Sequence, residues 1–256
     1  MPGAARRQLS ENLRQVRERI RAACERVGRS PDEVTLLAVT KSVGVDVIRH
    51  LIDLHQTEIA ESRVQVLVKR AAMIRELCTR QRTPPHPGPA TEPRWHMVGH
   101  LQRNKIKAVL PWVEIIHSVD SLRLAEDLEV HAAKASRRIP VLLQINVSDE
   151  KSKFGVAVGA ALHLAEQIVT LPHVSLVGLM TMAPLTDNSQ WIRNCFARLR
   201  ELLEEIRHER FGTPEMRHLS MGMSRDYEIA VEEGATFVRI GSALFEGIEQ
   251  FAETSP

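Results

Sequence analysis

Apolar residues recur at Leu9, Leu13, Val16, Ile20, Cys24 and Val27. Steps of three and four put them on one stripe of an amphipathic helix, and Gly28 is a suitable C-terminal stop. Pro31, Asp32 and Glu33 then turn the chain into VTLLAV (Val34–Val39), a short apolar run that suits a strand buried on both faces. Further strand-like runs lie near Glu58–Glu61, Trp95–Gly99, Glu114–Val119, Pro140–Val147, Ser175–Thr181, Arg217–Met221 and Phe237–Gly241. Helical stretches separate them. One is Val64–Leu77, which carries Val64, Leu67, Val68, Ala71, Ile74 and Leu77 on a common face.

The pattern predicts a leading helix (residues 1–30) followed by eight strand–helix units. Alternating β and α with short apolar strands implies a parallel sheet, and eight such units in 256 residues match the size of an α/β fold closed as a (β/α)8 TIM barrel. An open doubly wound sheet is the alternative, but neither a Gly-x-Gly-x-x-Gly fingerprint nor a P-loop is present. The conspicuous breaker is a Pro-rich stretch in residues 83–93, expected to stiffen a loop before the third strand. The βα rhythm resumes directly after it, so one domain over residues 1–256 is expected.

Composition narrows the class. Apolar residues make up 43% and charged residues 26%, which excludes a disordered or collagen-like chain. Lys and Arg number 34 against 32 Asp and Glu, and the signs alternate along the chain as in Arg17, Glu18 and Arg19. Counterion release needs a concentrated basic face, so no nucleic-acid partner is expected. The three cysteines, Cys24, Cys78 and Cys195, are far apart and match neither a disulfide framework nor a zinc site, so no metal is expected. No apolar run reaches membrane-spanning length, and the N-terminal segment lacks a signal-peptide stretch. A soluble cytoplasmic protein without a membrane partner is expected.

In a barrel, chemistry belongs at the C-terminal ends of the strands. Read in order, these positions hold Lys41; Glu61 and Ser62; Gly99 and His100; Asp120; Asn146; Thr181; Met221 to Ser224; and Arg239 to Ser242. Lys41 follows an apolar strand whose walls would desolvate its amine and lower its pKa toward a usable nucleophile, as Schiff-base chemistry with an aldehyde requires. The bland alternative is a lysine marking where a strand meets water. Gly241 lets a ligand approach the backbone, and Ser224 and Ser242 offer hydroxyl and N–H groups to a phosphate. Helix capping by Ser224, with Asp226 and Glu228 complementing the dipole, explains the same residues equally well. Arg239 sits inside the apolar run Phe237–Gly241, where an arginine is costly unless a ligand or a carboxylate pairs with it. His96 and His100 straddle a strand end and read as core or loop histidines, and Arg103 to Lys107 as a solvated helix start.

The segments LLAVTK (Leu36–Lys41), WHMVGHLQRNK (Trp95–Lys105), INVSDEKSKFG (Ile145–Gly155), GLMTMAP (Gly178–Pro184) and LSMGMSRDYEIAVEEGATFVRIGSALFEG (Leu219–Gly247) together closely resemble the pyridoxal phosphate homeostasis protein family. That family is related to the N-terminal barrel of alanine racemase. The resemblance implies pyridoxal 5′-phosphate (PLP) bound as a Schiff base on Lys41. It places the phosphate on Ser224, Gly241 and Ser242, next to Met223, and sets Arg239 against the pyridine nitrogen. One motif departs: family members commonly carry Gly-Glu-Asn-Tyr-x-Gln after the second strand, where this chain has Ala60, Glu61, Ser62, Arg63, Val64 and Gln65. The cofactor contact of Ser62 is the point this affects.

The function implied is a PLP carrier in vitamin B6 and amino-acid balance without efficient turnover. Amino acids and apo PLP enzymes are further candidate partners, and a monomer is the expected state. A PLP-dependent amino-acid racemase is the alternative, and a cofactor-free lysine aldolase a third reading. A two-base racemase needs a tyrosine opposite the lysine, brought by a second domain. The single tyrosine here, Tyr227, belongs to the helix after the seventh strand, and few residues follow the eighth unit.

Overall fold

The first helix, α1 (Gly3–Arg26), buries Leu9, Leu13, Val16, Ile20 and Cys24 along the expected stripe, and Gly28 follows it with a left-handed φ of 68°. The computed structural model describes residues 3–81, 92–148, 150, 154–209 and 211–248. The chain then runs β1 (Thr35–Val39), α2 (Val45–Asp53), β2 (Glu58–Glu61), α3 (Val64–Gln81), β3 (Arg94–Met97), α4 (Ile106–Val109), β4 (Val113–Val119), α5 (Leu122–Lys134) and β5 (Ile139–Asn146). It continues through β6 (Val156–Ala157), α6 (Val158–Val169), β7 (Val174–Met180), α7 (Ser189–His208), β8 (His218–Ser220), α8 (Tyr227–Glu232) and β9 (Phe237–Ile240).

All the pairings are parallel. β1 joins β2 on one side and β9 on the other, and the β4–β5 pairing closes the ring. Among the described residues the sheet has nine strands, of which two-residue β6 only extends the end of β5 through Ile145 and Val156. The other eight form the (β/α)8 barrel. The alternation in β1 shows how it is filled: Leu37 and Val39 belong to an inner cluster with Ala60, Leu142, Met180 and Phe237, while Leu36 and Ala38 pack in the outer core.

Two expectations need correction. A helix was expected after each strand, yet residues 242–248 after β9 form turns. These turns are tied to α1, whose buried Asn12 donates from Nδ2 to the carbonyls of Leu244 and Glu246 at 3.0 and 2.9 Å. Arg26 of α1 also pairs with Glu232 of α8 at 2.6 Å, and Arg17 reaches Gln56 before β2. The unit after β3 is likewise reduced to a short turn at Arg103–Lys105 and the four residues of α4. Residues 82–91, most of the Pro-rich loop, lie outside the described residues. Among the described residues no helix is long and apolar enough to cross a membrane, and no group of three or more His, Cys, Asp or Glu is placed to hold a metal ion.

Candidate functional site

A cavity of about 760 Å³ opens at the C-terminal ends of the barrel strands. Lys41, Ser62, Met223, Ser224, Arg239, Gly241 and Ser242 all line it, with Gly99 and His100. Glu61, Asp120, Asn146 and Thr181, read as part of the same ring, do not line it.

Lys41 lies two residues beyond β1 and is exposed at the cavity. The desolvating walls expected around its amine are therefore not there. What surrounds it is a rigid support. The buried Glu61 carboxylate accepts from Thr40 Oγ1 at 2.6 Å and from Arg70, and Arg70 Nη1 donates to the Thr40 carbonyl at 2.7 Å. Burial pushes the Glu61 carboxyl up, against the pull of Arg70. Because Thr40 is held by both its side chain and its carbonyl, the backbone entering Lys41 is fixed while the amine stays accessible.

Ser62 comes next to Gly99 by an unusually close backbone approach. A Cβ on Gly99 would stand 2.1 Å from the Ser62 carbonyl oxygen, so only glycine fits there. On the opposite wall, Ser224 does not cap α8. The N-cap of α8 is Asp226, whose side chain makes no capping bond to the helix and turns back to accept the Met223 N–H at 2.5 Å. Ser224 Oγ instead accepts the N–H groups of Gly241 and Ala243 at 3.3 and 3.2 Å. A Cβ on Gly241 would press to 3.3 Å from the Val39 carbonyl.

Arg239 is buried in β9 and reaches into the floor of the cavity. Nη1 donates to Ser220 Oγ and Nη2 to the Thr181 carbonyl, both at 2.8 Å. Of the two expected partners, a ligand or a buried carboxylate, no carboxylate is in hydrogen-bond contact among the described residues; a hydroxyl and a carbonyl hold the guanidinium. Burial therefore pushes the guanidinium down to about 10, with Asp226 pulling the other way. Burial also pushes Asp226 up.

Sequence reasoning missed several lining residues. Arg225, next to Ser224, adds a third cation to Lys41 and Arg239, against the carboxylates of Asp187 and Asp226. Its neighbours in the motif were the available signal. Phe154 stacks on His100 with ring centroids 4.3 Å apart, while His100 Nδ1 lies 3.2 Å from Asp120. His96 is a buried core histidine, as expected. Tyr227 is buried, its phenol pushed up by burial, and it does not line the cavity.

A model of the alanine racemase N-terminal domain matches residues 9–248. The pyridoxal phosphate homeostasis protein of Aquifex aeolicus is 38% identical over 235 residues, covering 92% of this chain and 96% of the relative. The chain belongs to this family. The crystal structure of an unknown protein from Bifidobacterium adolescentis matches with a TM-score of 0.87 at 37% identity, covering 96% of this chain and 97% of that one. PipY from Synechococcus elongatus, solved with PLP bound, matches with a TM-score of 0.76 at 30% identity, covering 93% of this chain and 99% of that one.

Proposed function

We propose that the protein binds PLP in this cavity and serves intracellular PLP homeostasis and amino-acid balance, holding PLP as a Schiff base on Lys41 without efficient turnover. The observation that carries the reading is that Lys41, Arg239 and the Ser224–Gly241–Ser242 group, far apart in sequence, line one cavity. The PLP bound to PipY supports the same ligand class. Lys41, Arg225 and Arg239 outnumber the two carboxylates of the lining, which suits a phosphate dianion.

Each residue has a role in this reading. PLP supplies an aldehyde and an electron-withdrawing ring. Lys41 Nζ forms the carbon–nitrogen double bond, and the aldehyde oxygen leaves as water. The Ser224 and Ser242 hydroxyls, Arg225 and the Gly241 backbone take the phosphate, and Met223 and Ser62 close the walls. Arg239 donates a hydrogen bond to the ring nitrogen. A guanidinium keeps its proton, so it leaves that nitrogen unprotonated and the ring a weak electron sink. The reading extends to a single cytoplasmic barrel, a monomer, that exchanges PLP with amino acids or apo enzymes.

A racemase is disfavoured because Tyr227 is packed away from the cavity. The visible spectrum of the purified protein, before and after adding an amino acid, tests the reading. A band from bound PLP that changes on adding the amino acid, with little D-alanine formed from L-alanine over a long incubation, is expected. A colourless protein that takes up no PLP, or robust Lys41-dependent racemisation, would refute it.

A further inference from the structure

The barrel interior holds a continuous line of polar side chains that the binding of PLP does not itself require. Starting at the cavity, Arg239 Nη1 donates to Ser220 Oγ at 2.8 Å, and Ser220 Oγ lies 2.8 Å from His117 Nδ1. His117 Nε2 lies 2.9 Å from His96 Nδ1, and His96 Nε2 lies 2.8 Å from Glu58 Oε2. Glu58 is the first residue of β2, at the opposite mouth, where it pairs with the exposed Arg94. Every member from Arg239 to Glu58 is buried. Phe237 packs against both imidazoles, with ring centroids 5.8 Å from His96 and 5.3 Å from His117.

The Glu58 end and the neutrality of the buried rings dictate where the protons lie. Arg239 only donates, so Ser220 Oγ accepts from it; with a second lone pair and one proton, the hydroxyl can meet His117 Nδ1 either as acceptor or as donor. At the far end Glu58 is ion-paired and accepts, so His96 Nε2 carries a proton. With His96 neutral its Nδ1 accepts, so His117 Nε2 supplies the proton of the central bond and His117 Nδ1 accepts from the Ser220 hydroxyl. Both rings are then neutral and both are protonated on Nε2. That agrees with burial, which pushes His96 down to about 3 and His117 well below its ordinary value. With both rings neutral, this is the one arrangement that satisfies every bond in the line.

We propose that Ser220, His117, His96 and Glu58 form a one-directional hydrogen-bond relay that positions Arg239 for the ring nitrogen of PLP. The inference rests on the PLP reading for its ligand but not for its proton arrangement. The anionic end at Glu58 orients the two imidazole dipoles, and they in turn keep a lone pair of Ser220 turned toward Arg239. Ser220 and the Thr181 carbonyl then hold the guanidinium at two points. These four are positioning residues. They act on the cofactor only through Arg239.

The test uses the full chain labelled with 15N histidine and arginine. Without PLP, His96 and His117 should both appear as neutral Nε2–H tautomers at pH 7, and the Arg239 Nη protons should be resolved as separate, slowly exchanging signals. An Nδ1–H tautomer or an imidazolium at either ring would overturn the relay. In Glu58→Gln the tautomers should become mixed. With PLP, Ser220→Ala should release the cofactor about tenfold faster and shift its visible band, in line with the usual effect of losing an outer partner, and Ser220→Thr should restore both. A Ser220→Ala variant with an unchanged release rate and band would overturn the positioning role. If Ser220→Ala does not fold, Glu58→Gln carries the same two readouts with the same expected direction. Failure of wild type to bind PLP would sink the PLP reading and the positioning role, while the tautomer result would still decide the relay.

Discussion

Ser224 Oγ accepts a hydrogen bond from the Gly241 N–H at 3.3 Å, so the loop after β8 is tied to the loop after β9 at the edge of the cavity. The same oxygen also takes the Ala243 N–H. Ser224 thereby serves as an internal strut while its own hydroxyl proton remains available to a phosphate. Ser224→Ala removes both functions. The expected result is a loss of about 1–2 kcal/mol of stability and PLP binding weakened about tenfold. Pyridoxal, which lacks the phosphate, should bind nearly as before. Equilibrium dialysis with the two vitamers, alongside urea unfolding, checks this.

Gly99 and Gly159 make a paired test of space in the fold. Gly99→Ala would drive its Cβ to 2.1 Å from the Ser62 carbonyl, a backbone atom that cannot swing aside. A cost of about 1–3 kcal/mol is expected in urea unfolding. Gly159, near the start of α6, has nothing within 4 Å of an added Cβ. Gly159→Ala should be neutral or stabilising by up to about 1 kcal/mol.

Acid should destabilise the protein in a window set by the buried histidines. His96, His117 and His218 all have folded-state values pushed below 6.5, His96 to about 3 and His218 to about 4. The unfolded chain therefore binds more protons than the folded one below about pH 6.5. The stability these neutral rings carry is complete above pH 6.5 and is lost as the pH falls toward the folded-state values. Each ring contributes up to about 1.4 kcal/mol per pH unit. Raised values at Glu61 and Asp226 act in the opposite direction. Urea unfolding at pH 7, 6 and 5 should show a steady decline, which Phe in place of His218, the least buried ring, should make shallower.

Lys41, Ser62, Ser224, Gly241 and Ser242 were legible because they follow strand ends, where short apolar runs give way to glycine or polar groups; Arg239 stood out as a charge inside an apolar run, and Met223 entered with the family resemblance. Other features left no local signal. The two residues of β6, Val156 and Ala157, are too few to show a period. Leu244, Phe245 and Ile248 repeat at helical spacing, yet the chain turns there, with Gly247 at a φ of 72°. The burial of these side chains comes from packing rather than from a helix. His96 reads as a core or loop histidine and His117 carries no signal of its own, because their partners come from other strands; Ser220 is 103 residues from His117. The accessibility of Lys41 was missed for a similar reason, since the apolar run that precedes it does not reveal that the loop carries the side chain into an open cavity.

Arg239→Glu tests why bound PLP should be chemically quiet. A carboxylate at this position would keep the ring nitrogen protonated and strengthen the ring as an electron sink. With PLP and an amino acid in deuterated water, the variant should exchange the substrate Cα hydrogen faster than wild type, once folding and PLP uptake have been verified. Equal, slow exchange in both proteins would show that Arg239 is not what limits the chemistry.

The central claim is that Lys41 carries PLP covalently. Borohydride reduction of the PLP-loaded protein, followed by peptide mass mapping, tests it most directly. A pyridoxyl group on the peptide containing Lys41, absent from Lys41→Ala, is the predicted result. A label on Lys105 or Lys153 in place of Lys41, or no label on any lysine, would contradict it.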